Sequence, residues 1–146
     1  MTTKPNHNSL KRKLAKVGKL PVDELAGRSQ LNIDSMKDEF VVVMRNQIEE
    51  LTDLLQGKDP ANIRSIYETS SQIISSASFV KAEWVSKAAQ SLCEVHEIMS
   101  AGKWDWEAIS VHGKTIQLLA TLEPSQAAMS QSLLEGLGAV VAAKRG

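Results

Sequence analysis

Aromatic side chains are scarce in this chain: two Phe, one Tyr and three Trp make up 4% of its 146 residues. With so few rings and few alternating β-branched runs, an aromatic-rich β core is excluded, and Ile, Leu, Val, Ala and Met must fill the interior. Cysteine is almost absent. The single Cys93 permits neither an internal disulfide nor a multi-cysteine zinc site, which suits a reducing compartment. No apolar stretch approaches the roughly 20 residues that span a bilayer. The basic N-terminus lacks the apolar run of a secretory leader, so a cytoplasmic protein is expected. There is no P-loop and no Gly-rich dinucleotide turn, and only eight glycines occur. No cofactor site, metal site or catalytic constellation is expected.

What remains is ordinary for one globular domain with a sizeable core: 42% hydrophobic and 23% charged residues. The net charge of zero hides an asymmetry. Lys4, Lys11, Arg12, Lys13, Lys16 and Lys19 fall in the first 20 residues without an acid, leaving 11 basic against 17 acidic residues beyond. Such an arm attracts polyanions, but it carries no aromatic residue for base stacking. Nucleic acid is therefore disfavoured as a partner, and the arm is read as a solvated tail.

Helical periodicity dominates the rest. A connector marked by Pro21, Gly27 and Asn32 precedes a first helix over residues 34–56, with Met36, Phe40, Val43, Met44, Ile48, Leu51 and Leu55 at helical spacing. Val41-Val42-Val43 could form a strand, but the surrounding 3.6-residue period outweighs it. Asp59-Pro60 predicts an N-cap and first helical position for a second helix ending near residue 78. A third is expected over residues 82–99, and a fourth after Asp105 with Trp106, Ile109, His112, Ile116 and Leu119 inward. Pro124 ends that region and can open a fifth segment, with Ala127, Ala128, Leu133, Leu134, Leu137 and Val141.

The second helix is the most informative. Ile63, Ile66, Ser70, Ile73 and Ala77 recur at three and four and define its inner stripe. Ser71, Ser75 and Ser78 form another line, where Lys, Glu or Arg would be usual on a solvent face. Small hydroxyl residues there let another helix or a partner protein approach closely.

Ser70-Ser71-Gln72-Ile73-Ile74-Ser75-Ser76-Ala77 resembles the central motif A-H-x-L-K-G-S-A of the histidine-containing phosphotransfer (HPt) domain. In this resemblance, which covers residues 35 to 122, Ser71 stands where the phosphorylated His would be, Ile74 where the phosphate-steadying Lys would be, and Ser75 where Gly lets a receiver domain come close. Ala88-Ala89-Gln90-Ser91-Leu92-Cys93 and Val111-His112 resemble later runs of a bacterial subgroup. The buried positions match; the His and Lys do not. A serine cannot form the labile phosphoramidate, so the resemblance implies a degenerate member.

The expected fold is all-α: an HPt-like four-helix up-and-down bundle (residues 34–122) with a basic N-terminal arm and connector (1–33) and an extra C-terminal helix (123–146). The implied function is that of a pseudo-phosphotransferase adapter in bacterial two-component phosphorelay signalling. It would bind a response-regulator receiver domain without passing phosphate, through Ser71, Ser75 and Ser78 flanked by Tyr67, Arg64, Glu68 and Lys81. Two alternatives stand beside it. One is active phosphotransfer through a displaced His112 or His96. The other is a self-associating bundle, a homo-oligomer paired through Leu133, Leu137 and Val141. His112, among Ile109, Ile116 and Leu119, is expected in the core. Cys93 is expected to act as a small buried hydrophobe, and Glu49, Glu50, Asp53, Glu94 and Glu97 as solvated acids. Trp104 and Trp106 are expected to staple the corner into the fourth helix.

Overall fold

The computed structural model describes residues 22–146, with side chains from residue 35 onward; the basic run of residues 1–20 lies outside the described residues. All regular structure among them is helical. The chain divides after Phe40, and residues 41–146 form one compact unit.

The first helix, α1, spans Val22–Leu55, about 51 Å at 1.5 Å per residue. It begins 12 residues before the expected start at Asp34. Gly27 and Asn32 do not interrupt it, since a lone Gly costs a helix interior only about 1 kcal/mol. Of the predicted stripe, Met36, Met44, Ile48 and Leu51 are buried, whereas Phe40, Val43 and Leu55 are half-buried. Val41-Val42-Val43 is helical. Left-handed Gly57 (φ 80°) and Lys58 (φ 49°) end the run, since two such residues in succession cannot continue a right-handed helix.

Asp59 then caps the next element, its Oδ1 accepting the Ala61 N–H at 3.0 Å. A 3-10 turn, Pro60–Asn62, leads into α2, Ile63–Phe79. Asn62 Nδ2 donates to the Leu54 carbonyl at 3.2 Å and ties this turn to the end of α1. The chain reverses at left-handed Lys81 (φ 62°) into α3, Glu83–Ser100. Asp105 caps α4, Trp106–Leu119, by accepting the Glu107 N–H at 2.9 Å. A 3-10 turn at Pro124–Gln126 opens α5, Ala127–Arg145.

Within residues 41–146, α3 is the hub, packed against α2, α4 and α5. It buries Val85, Ala88, Ala89, Leu92, Val95 and Met99, more than one amphipathic stripe, because neighbours cover it on several sides. Ile66, Ile73, Ile109 and Ile116 complete the fully buried centre, each worth about 1.5–3 kcal/mol of burial. The last turn of α1 approaches α4 so closely that a Cβ on Gly113 would overlap the Leu55 side chain.

The fifth helix joins the shared core through one face. Leu137 and Val141 are buried with the common core and Leu133 and Leu134 are half-buried, but Ala127 and Ala128 are exposed. The self-association route through Leu133, Leu137 and Val141 is thereby corrected: two of the three are already spent inside the chain. No helix among the described residues is long and apolar enough to cross a membrane.

Candidate functional site

The serine line of α2 runs along the contact with α3, and a ladder of polar pairs joins the two helices. Tyr67 donates its hydroxyl to Glu97 Oε2 at 2.6 Å. Four residues on, Ser71 Oγ lies 3.8 Å from Cys93 Sγ. Near the end of α2, Ser78 and Ser86 share a hydrogen bond of 3.1 Å, and Gln90 Nε2 also donates to Ser86 Oγ at 3.2 Å. As the partner on α2 advances from 67 to 78, the partner on α3 retreats from 97 to 86. The two helices therefore run antiparallel, in one register.

Small residues make the approach feasible, since no bulky side chain holds the helices apart at Ser71, Ser78 and Ser86. The Glu97 carboxylate accepting its proton holds the Tyr67 phenol above its ordinary pKa. Burial pushes the Cys93 thiol up; the Ser71 hydroxyl acts the other way, and the Glu97 charge adds to the rise. A thiol kept protonated is a poor nucleophile, so Cys93 serves here as a small packing residue.

The seven residues expected to meet a partner divide into two groups. Arg64, Glu68, Ser75, Ser78 and Lys81 are exposed, whereas Tyr67 and Ser71 are half-buried against α3. Arg64 and Glu68 pair with each other at 3.2 Å. Ser78 reaches solvent but commits its hydroxyl to Ser86. Ser75 alone of the serine line is exposed with no hydrogen bond drawn into the seam. Exposed Gln72 and Phe79 extend this surface and were not anticipated.

Both described histidines are internal, with both ring nitrogens engaged. His112 is fully buried. Its Nδ1–H donates to the Ala108 carbonyl at 2.8 Å, which leaves Nε2 to accept the Ser91 hydroxyl at 2.8 Å. Burial lowers its pKa, while the Ala108 carbonyl pulls the other way. His96 donates through Nε2–H to the Ile63 carbonyl at 2.7 Å and accepts the Ser100 hydroxyl on Nδ1 at 3.3 Å. Its ring is wedged edge-on between Tyr67 and Trp104, with centroids 5.2 and 5.0 Å away. Trp104 meets Trp106 edge-on at 5.3 Å, so the two tryptophans do fasten the entry to α4. Phosphoryl transfer needs an exposed nitrogen lone pair, and neither ring presents one.

Two of the acids expected to be merely solvated join elements instead. Glu97 accepts the Tyr67 hydroxyl's hydrogen bond, and Glu94 pairs with Arg145 at the end of α5. Lys144 reaches Asp105 at 2.6 Å, and together with the Glu107 N–H it holds that carboxyl below the usual range. The sequence did carry one signal of the seam. Ser86, Gln90, Cys93 and Glu97 repeat at four, three and four along α3, the spacing of a helix face turned to a polar partner. Among the described residues no three His, Cys, Asp or Glu side chains come together as a metal site.

No protein-family model, no curated protein and no solved structure matches this chain.

Proposed function

We propose that this chain is a non-catalytic, HPt-like adapter that holds a response-regulator receiver domain against the outer face of α2 without passing phosphate. The observation that carries the reading is Ser75. It is small, exposed and free of the seam, at the position where the resembling motif requires a residue that lets a receiver approach. Ser71, in the place of the phosphoacceptor, turns toward Cys93 and has no labile nitrogen. Exposed Arg64, Glu68 and Lys81 add charges of both signs along and beyond this helix, the polar character usual at the rim of a docking surface.

The architecture this function needs is part of the proposal: an up-and-down four-helix bundle made by α1 to α4. Its support is the antiparallel register of α2 and α3, and the meeting of the last turn of α1 with Gly113 midway along α4. In this reading α5 is integral, because it adds Leu137 and Val141 to the shared core.

The test is a pull-down from native bacterial lysate with the whole chain as bait, beside a Ser75→Arg bait, followed by calorimetric titration with any receiver recovered. The expected result is a receiver-containing protein on the wild type alone, with both baits equally helical. Recovery of no receiver, or the same receiver on both baits, defeats the proposal and leaves the serine line as packing.

A further inference from the structure

A groove of about 850 Å³ lies between α1 and α4, on a face that the α2–α3 seam does not use. Its floor is apolar, formed by buried Ile48 and half-buried Leu122. Leu118 stands at its side in the last turn of α4 and is 44% exposed. The rim is charged and balanced in sign: Arg45 and Lys114 against Glu49 and Glu123, all four exposed. None of them forms an ion pair among the described residues, although Arg45 and Glu49 have the four-residue spacing at which such pairs form along a helix.

We infer that a second copy of this chain covers the groove, in a two-fold symmetric dimer. The balanced rim argues for that occupant. A polyanion or an anionic lipid surface gains nothing from two cations offset by two carboxylates. A surface carrying both signs can complement itself in a two-fold contact, where residue i meets j while j meets i, provided the axis sets each sign against the other. With the axis passing close to Ile48, α1 of each copy lies antiparallel to α1 of the other. Arg45 of each then faces Glu49 of the other, and the pair that α1 leaves unmade within the chain is made twice between chains. The exposed Leu118 of each copy enters the other's apolar floor, an anchor seated in a pocket inside a charged rim.

The full chain is tested by sedimentation velocity from about 1 to 500 μM, a range that covers weak to moderate dimers. The expected result is a rise toward twice the chain's mass, weakened by salt because the rim pairs are screened. Leu118→Asp is expected to weaken the dimer at least about tenfold, with the helical signal unchanged because the residue is exposed. Arg45→Glu and Glu49→Arg should each dissociate the homodimer by setting like charges opposite one another. Mixed together they should associate again, since both contacts are then of opposite sign. That recovery separates a lost contact from a misfolded variant. A monomer at every concentration overturns the inference, as does a dimer indifferent to these substitutions or a mixture that stays dissociated.

Discussion

Acidification below about pH 6.5 should weaken this protein through His112. In the unfolded chain a histidine titrates near pH 6.5. In the folded chain the pKa of His112 is lower, chiefly because burial penalises the imidazolium and only in part offset by the Ala108 carbonyl. Between those two values the unfolded state holds the extra proton. Unfolding is then favoured by falling pH, and stability rises with pH. The full contribution is present above about pH 6.5 and is lost below it, with a limiting slope of about 1.4 kcal/mol per pH unit, until the folded-state pKa is reached. Against a total stability of about 5–15 kcal/mol, one pH unit of this loss is measurable.

The assay is urea denaturation at a series of values from about pH 8 to 5, on the wild type and on His112→Gln, which stays polar but cannot titrate. His7 and His96 are common to both proteins and cancel in the difference. Asp105 acts in a separate window. Its pKa is held low by Lys144, so its contribution is intact above the carboxylate range and is lost only as pH falls through that lowered value. The variant is expected to be less stable at neutral pH, having lost the ring that fills the site, but flatter by about 1 kcal/mol per unit just below pH 6.5. Parallel curves for the two proteins would refute the argument, because the buried ring would then not be the group whose protonation is linked to unfolding.

Two further substitutions test the packing. Gly136→Ala places a Cβ that meets nothing within 4 Å and should stabilise by about 1 kcal/mol through helix propensity; Gly113→Ala should gain none of it, because the new methyl overlaps Leu55. Equal gains in denaturant midpoint at the two glycines would mean that α1 does not press on α4. Ser70→Ala should be neutral or stabilising by up to about 1 kcal/mol, because its hydroxyl is buried without a hydrogen-bond partner. A loss of more than about 1 kcal/mol would reveal a bond to that hydroxyl.

Much of the fold was legible because the local chemistry was explicit. Asp59-Pro60 and Asp105-Trp106 each combine a capping carboxylate with a helix start, and both caps form. The inner stripe of α2 was legible because isoleucines fix its phase. Two elements were harder for physical reasons. The start of α1 was masked by Gly27 and Asn32, whose intrinsic preference is a weak prior that context overrides. The phase of α5 is carried by little more than Leu133, Leu137 and Val141, since Ala and Gly bury and expose at similar cost. The seam between α2 and α3 needed a register between two helices, which one helix's pattern cannot supply. Tyr67 with Glu97 and Ser78 with Ser86 became partners only once the antiparallel pairing was known.

That pairing also settles what the three serines can do together. At 3.6 residues per turn each residue advances by about 100° around the axis. Measured from Ser71, Ser78 and Tyr67 fall about 20° and 40° to one side, whereas Arg64, Ser75 and Glu68 fall about 20°, 40° and 60° to the other. A spacing of four then three looks like one line in the sequence, yet it is two edges of a face. The first edge holds every side chain that bonds across to α3; the second holds Ser75 and the Arg64–Glu68 pair, all exposed. A bulky residue on the first edge forces the helices apart, and one on the second does not. Arginine at Ser71 should therefore lower the melting temperature, while arginine at Ser75 should leave it within the scatter of a surface change, about 0.5 kcal/mol. Only Ser75 can report on docking without reporting on stability. If Ser75→Arg melted the protein as Ser71→Arg does, the two edges would be one, and no surface on α2 would be left for a partner.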